Sequence, residues 1–204
     1  ENVLLTGLLG GHMKFGAHKV GLALLHIQNG ESKAGIFDQR SFINNNNQII
    51  KDNLEYSERS ISNILLSGKH SFGEGNFEVA WKYAPTFSQI NDKDVRVAAL
   101  RLEGGQLNIE PSEGAVPRRI WRSLDEKSHT AKVDLTKKFT LGDKAAKLKF
   151  GGYFTQKERD YSIFTFEFRT QGDVGSFSNP NEILAPENIW RPETRTGVYV
   201  NGNS

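Results

Sequence analysis

The stretch Phe77-Glu78-Val79-Ala80-Trp81-Lys82-Tyr83-Ala84-Pro85-Thr86-Phe87-Ser88 decides how the rest of the chain is read. Its odd positions are apolar or aromatic, and its even positions are small, polar or charged. This two-residue period marks a strand with two unlike faces, because successive side chains of extended backbone point opposite ways. A helix would scatter the same residues round its circumference. A strand buried on both faces would not hold Glu78 and Lys82 at its centre. The apolar face therefore meets either the interior of a soluble sandwich or the lipid around a membrane barrel. A strand crosses a bilayer in about 9 to 11 tilted residues, roughly the length of this run. Sandwich strands approach that length too, so the remaining sequence has to discriminate.

At 204 residues the chain suits one large all-β domain or two small ones. The hydrophobic share is 37% and the mean hydropathy is negative, which excludes a helical membrane protein. No apolar run approaches the roughly 18 residues of a spanning helix; the densest, Val20 to Ile27, is interrupted by Gly21 and His26. A barrel passes that test, since only alternate residues face lipid. The net charge of +2, spread over both signs, implies no nucleic-acid surface. The lack of cysteine removes disulfide scaffolds, thiolate metal sites and cysteine nucleophiles together. With no Asn-x-Ser/Thr sequon either, the composition fits a bacterial surface protein. The chain opens at Glu1 with no initiator Met and no signal peptide, so it is expected to be an internal piece of a longer protein.

In chain order, strands are expected at about 2–15, 20–28, 54–72, 77–90, 118–140 and 146–170, with long loops at 29–53, 91–117 and 171–204. Leu4 and Leu8 spoil the alternation of the first. Ala131, Val133, Leu135 and Phe139 alternate cleanly with Lys132, Asp134, Thr136 and Lys138, as do Leu148 and Phe150 with Lys147 and Lys149. Short turns at Gly16-Ala17-His18-Lys19, Gly73 to Asn76 and Gly142-Asp143-Lys144 join the strands in pairs. A short turn followed by a long loop, repeated, is the rhythm of an outer-membrane barrel, with short turns at the periplasmic rim and long loops outside the cell. Phe15, Phe72, Phe77 and Phe139 lie beside the short turns, where an aromatic girdle would sit. The expected fold is all-β: a segment of an antiparallel transmembrane β-barrel with about six strands in three hairpins. Six strands are fewer than the roughly 8 that close the smallest such barrels, so the segment should be a wedge of a wider one.

Several stretches carry a family likeness: Leu54-Glu55-Tyr56-Ser57-Glu58-Arg59 into Leu66-Ser67-Gly68-Lys69-His70, the Trp81 strand, Arg118-Arg119-Ile120-Trp121 with Leu124-Asp125-Glu126, Val133-Asp134-Leu135, and Lys147 to Tyr153 with Lys157-Glu158-Arg159-Asp160. Together they resemble the C-terminal barrel segment of TonB-dependent outer-membrane receptors of the Bacteroidota type, over most of Leu54 to Thr170. The resemblance implies a roughly 22-stranded barrel filled by an N-terminal plug. It also implies uptake of a scarce nutrient (siderophore, glycan, peptide or cofactor) energised by TonB, with a surface lipoprotein as one option within the family. Neither a plug nor a TonB-contact segment is among these residues. A passive porin, or a soluble β-sandwich carbohydrate-binding module, is the rival reading.

No catalytic or metal-ligating set stands out, and neither enzymatic activity nor a cofactor is expected. His12, His18, His26, His70 and His129 form no His-x-x-x-His or His-Glu-x-x-His pair, and His70 suits the interface level near Phe72. Asp92 and Asp94 are either solvated loop carboxylates or part of a Ca²⁺ site. Val79, Trp81, Tyr83, Val133, Leu135, Leu148 and Phe150 are expected to face lipid. Lys82, Lys132, Asp134, Lys147 and Lys149 are expected to face the lumen, either in ion pairs with plug and wall or along a path for an anionic ligand. Trp121, Trp190 and Tyr199, in or beside the outer loops, are either ligand-stacking aromatics or loop packing.

Overall fold

The computed structural model describes residues 1–41, 47–111 and 114–203. They form a single antiparallel sheet of β1 (Asn2–Phe15), β2 (His18–Ser41), β3 (Asn47–Phe72), β4 (Phe77–Glu103), β5 (Gln106–Asn108), β6 (Arg118–Leu141), β7 (Lys144–Gln171) and β8 (Gly197–Asn203). The order is β1-β2-β3-β4-β6-β7-β8, with the short β5 paired to β4. The sheet is open, with β1 at one edge, and no α-helix occurs among the described residues.

The three short turns fall where the glycines place them. Gly16, Gly73, Gly75 and Gly142 all have positive φ, the conformation tight hairpins demand. These turns lie at one end of the sheet and set its register. Phe15 faces His18, Phe72 faces Phe77, and Leu141 faces Lys144. Residues directly opposite share a face, so the apolar face continues across strands as rows such as Met13, Val20, Gly68, Trp81, Val133 and Gly152. No second layer covers it among the described residues: Leu9 is 70% exposed, Leu148 64% and Phe150 74%.

Two expectations need correction. The described residues form eight strands rather than about six, and the loops expected over 29–53 and 91–117 are largely strand, apart from 42–46 and 112–113, which lie outside the described residues. β2 runs to Ser41, β3 begins at Asn47, and β4 runs to Glu103 before a Gly104-Gly105 turn into β5. The region 171–204 also contains a 3₁₀ turn, Pro180–Leu184, as well as β8. The apolar alternation ends near Phe87, but the hydrogen-bonded ladder does not. In addition, β4 carries an extra residue at Lys93-Asp94, where its register to both β3 and β6 slips and Asp94 adopts φ 57°. The slip exchanges the faces of odd and even positions, so no single phase spans the strand.

At the far end a small core forms from distant segments. Leu100, Ile109, Phe177, Ile183 and Val198 are buried together, with Leu107, Phe168 and Val174 against them. Phe177 exchanges backbone hydrogen bonds with Leu107, which ties the segment after β7 to β5.

Candidate functional site

The register sorts the expected residues onto two faces. Val79, Trp81, Tyr83, Val133, Leu135, Leu148 and Phe150 share the apolar face, and Lys82, Lys132, Asp134, Lys147 and Lys149 share the other. On the charged face, Asp134 lies 3.2 Å from Lys132 Nζ and 3.6 Å from Lys149 Nζ. Glu78, one row nearer the turns, lies 3.0 Å from Lys69 and 2.7 Å from Lys138. Lys82 and Lys147 are exposed and have no carboxylate partner among the described residues.

The apolar face carries its own polar thread at the short-turn end. Trp81 Nε1 donates to His70 Nε2 at 3.0 Å, and the His70 and His18 rings meet with Nδ1 atoms 3.3 Å apart. Phe15, His18, Phe72 and Phe77 continue these ring contacts, with His18 touching Phe15, His70 and Phe72. The indole fits because Gly68, opposite Trp81, has no side chain; a Cβ there would run into the ring. Three of the four expected girdle phenylalanines are thus linked, while Phe139 stands apart opposite Ala146. These rings lie together at one level of the sheet, beside the short turns.

Farther along, fixed ion pairs replace the bare face. Arg119 grips Asp94 with two bonds of 2.6 and 2.7 Å, and Arg96 adds two more. The Arg119 guanidinium, then burial working against it, then Arg96 set the Asp94 carboxyl, whose pKa is lowered to about 2. Lys93, followed by the Tyr56 hydroxyl, likewise lowers Glu58. Asp92 takes a 2.6 Å bond from Ser57 Oγ and lies 2.9 Å from Arg122 Nε. Asp92 and Asp94 therefore do not converge on a cation site; arginines occupy each.

Comparison with known families and with characterised proteins finds no match for this sequence.

Trp121, Trp190 and Tyr199, read from the sequence as either ligand-stacking aromatics or loop packing, are not brought together. Trp121 lies near the start of β6, as the expected strand 118–140 places it, edge-on to Phe166 and with Arg119 5.1 Å above its ring. Tyr199 is opposite Arg169 on β8, on the other face of the sheet from Trp121. Trp190 is held against Gly197 and Val198, its backbone N–H donating to Val198. Sequence reading missed the Asp94 clamp and the lysines Lys14, Lys19 and Lys69. The turn is the two residues Gly16-Ala17, shorter than the expected Gly16 to Lys19, and this sets Lys14 opposite Lys19.

Proposed function

We propose that this chain is a wedge of an outer-membrane β-barrel of the TonB-dependent receptor type, with no enzymatic activity of its own. The observation that carries the reading is the uncovered apolar band. From Phe77 to Phe87 it runs ten residue steps along β4, about 33 Å at the usual rise; tilted about 40°, it stands about 25 Å tall, the height of a barrel's lipid-facing belt. A sandwich reading requires a second layer over Trp81 and Phe150, and none lies among the described residues. The open sheet edges call for further strands, because unpaired backbone is costly in hydrocarbon. On this reading the short turns lie at the periplasmic rim, the charged face looks into the lumen towards a plug, and the long strands stand outside the cell. The nutrient-uptake role and its dependence on TonB rest on the sequence resemblance.

Single Val133→Cys and Leu148→Cys labels in outer-membrane vesicles are expected to be quenched by a lipid-phase reagent. Lys132→Cys and Lys149→Cys labels are expected to answer a water-soluble one instead. A water-exposed Val133 label would remove the membrane reading. Uptake that persists in cells without TonB would leave the barrel and remove the receptor class.

A further inference from the structure

The Lys and Arg positions on the charged face of the short-turn half are all lysine. Segments 1–39, 60–95 and 123–158 contain no arginine. The register sets Lys14 directly opposite Lys19, and Lys19 directly opposite Lys69. One row farther from the turns, Lys82 is directly opposite Lys132. Like charges in this position repel and weaken the sheet. Glu78 and Asp134 offset part of the repulsion, each bridging two lysines. Lys14, Lys19 and Lys82 have no carboxylate partner among the described residues, and all three are exposed. Over these rows and the next one the wall is hollowed to about 580 Å³, where Gly10, Gly21, Ala23, Ser67 and Ala80 leave room; Lys19, Lys69, Lys82 and Lys132 line the hollow together with Leu65 and the carboxylate of Asp134. Opposed cations around a small-residue hollow are an arrangement that a multivalent anion relieves.

We infer that these two lysine rows form a binding station for multivalent oxyanions: small solutes bearing several phosphate or carboxylate groups. The inference rests on the barrel reading, in which this face looks inward, and it names the substrate class that face would pass. The choice of cation favours a solute over an acidic protein segment. Among the described residues the two-bonded ion pairs are made by arginine, as at Asp94 and Glu126, whereas the lysines make single-point pairs, as Lys93 does with Glu58 and Lys157 with Glu126. Lysine is a compact, hydrated charge on a flexible stem without a bidentate fork. It suits contacts made and released at several neighbouring points, which passage requires.

The test is amine acetylation of the intact protein in outer-membrane vesicles, read by mass spectrometry, with inorganic tripolyphosphate as probe and chloride at equal ionic strength as control. Labelling of Lys19, Lys69, Lys82 and Lys132 is expected to fall about fivefold in tripolyphosphate, the factor a single unit-charge contact gives in water. Lys33 and Lys93, which pair with Glu31 and Glu58, should not change. In a Lys82→Gln, Lys132→Gln variant the protection of Lys69 should weaken. Equal protection everywhere, or none, overturns the inference. So do row lysines that resist acetylation with and without the probe, because a permanent acidic segment would then be the occupant. Retained lipid quenching at Val133 separates any of these failures from failure of the barrel reading.

Discussion

The two halves of this sheet are held in different ways. Every buried apolar side chain among the described residues, from Ile49 and Val95 to Phe177 and Val198, belongs to the far half. The short-turn half buries none of its large apolar residues, yet it carries the regular apolar rows. The polar groups divide the same way: arginine clamps in the far half, opposed lysines in the near one. The far half therefore brings its own core, and the near half leaves its apolar face uncovered by the described residues. A single globular domain would show one regime throughout.

The sharpest way to break the comparison is to remove the far core. Phe177→Ala deletes a ring that is 1% exposed and is expected to cost about 3 to 5 kcal/mol in urea unfolding. Protease cleavage between 172 and 196 should rise, while labels at Val133 and Leu148 remain in lipid. If those labels move as well, the halves are one cooperative unit and the contrast fails.

Next in size is Val133→Arg, expected to cost about 2 to 4 kcal/mol for protein refolded in lipid vesicles if the site lies near the midplane. The same change at Tyr161, 56% exposed in the far half, should stay within about 0.5 kcal/mol. Equal costs would mean that both positions meet water.

How much of this was legible depended on whether one phase held. Around Trp81 it did: a strict two-residue period, with turns fixed by Gly16, Gly73 and Gly142, placed both faces and the pairing of neighbours before any coordinates. Beyond Phe87 it did not, because the Asp94 bulge exchanges the faces and Leu100 takes the side that odd residues hold below. A reader counting by twos meets noise there and reads loop. The far core was hidden for another reason. Phe177 and Val198 sit in stretches rich in Gly, Asn and Pro, and only tertiary pairing with Leu107 and β7 makes them a core. Trp121, Trp190 and Tyr199 were grouped by position in the sequence, which carries no information about sheet face.

A smaller effect tests the near half's rings. Gly68→Ala puts a methyl where the Trp81 indole lies, so the ring must swing away and give up its bond to His70. The expected cost is about 1 to 3 kcal/mol, the range for overpacking a fitted site. Trp81 fluorescence should shift with it. An unchanged spectrum and unchanged stability would show that the ring does not rest on Gly68.

The smallest effect probes the far half alone. Asp94 is held ionised by Arg119 and then Arg96, with its pKa lowered from 3.8 to about 2. A depressed carboxylate pKa contributes stability that is fully present above the unfolded value and is lost as pH falls through the folded one. The window is therefore about pH 4 down to 2, and the shift bounds the contribution at roughly 2 kcal/mol. Water reaching a fifth of the side chain, which is 22% exposed, reduces it further. Other carboxylates, Glu58 among them, titrate in the same direction, so the informative quantity is the difference between the native chain and Asp94→Asn. That difference in far-half unfolding should be largest near pH 5 and shrink towards pH 2, with the Val133 label silent throughout. A gap that stays constant with pH would place the effect of the substitution in the bulge backbone, where Asn tolerates φ near 57° as Asp does, and not in the charge the two arginines share.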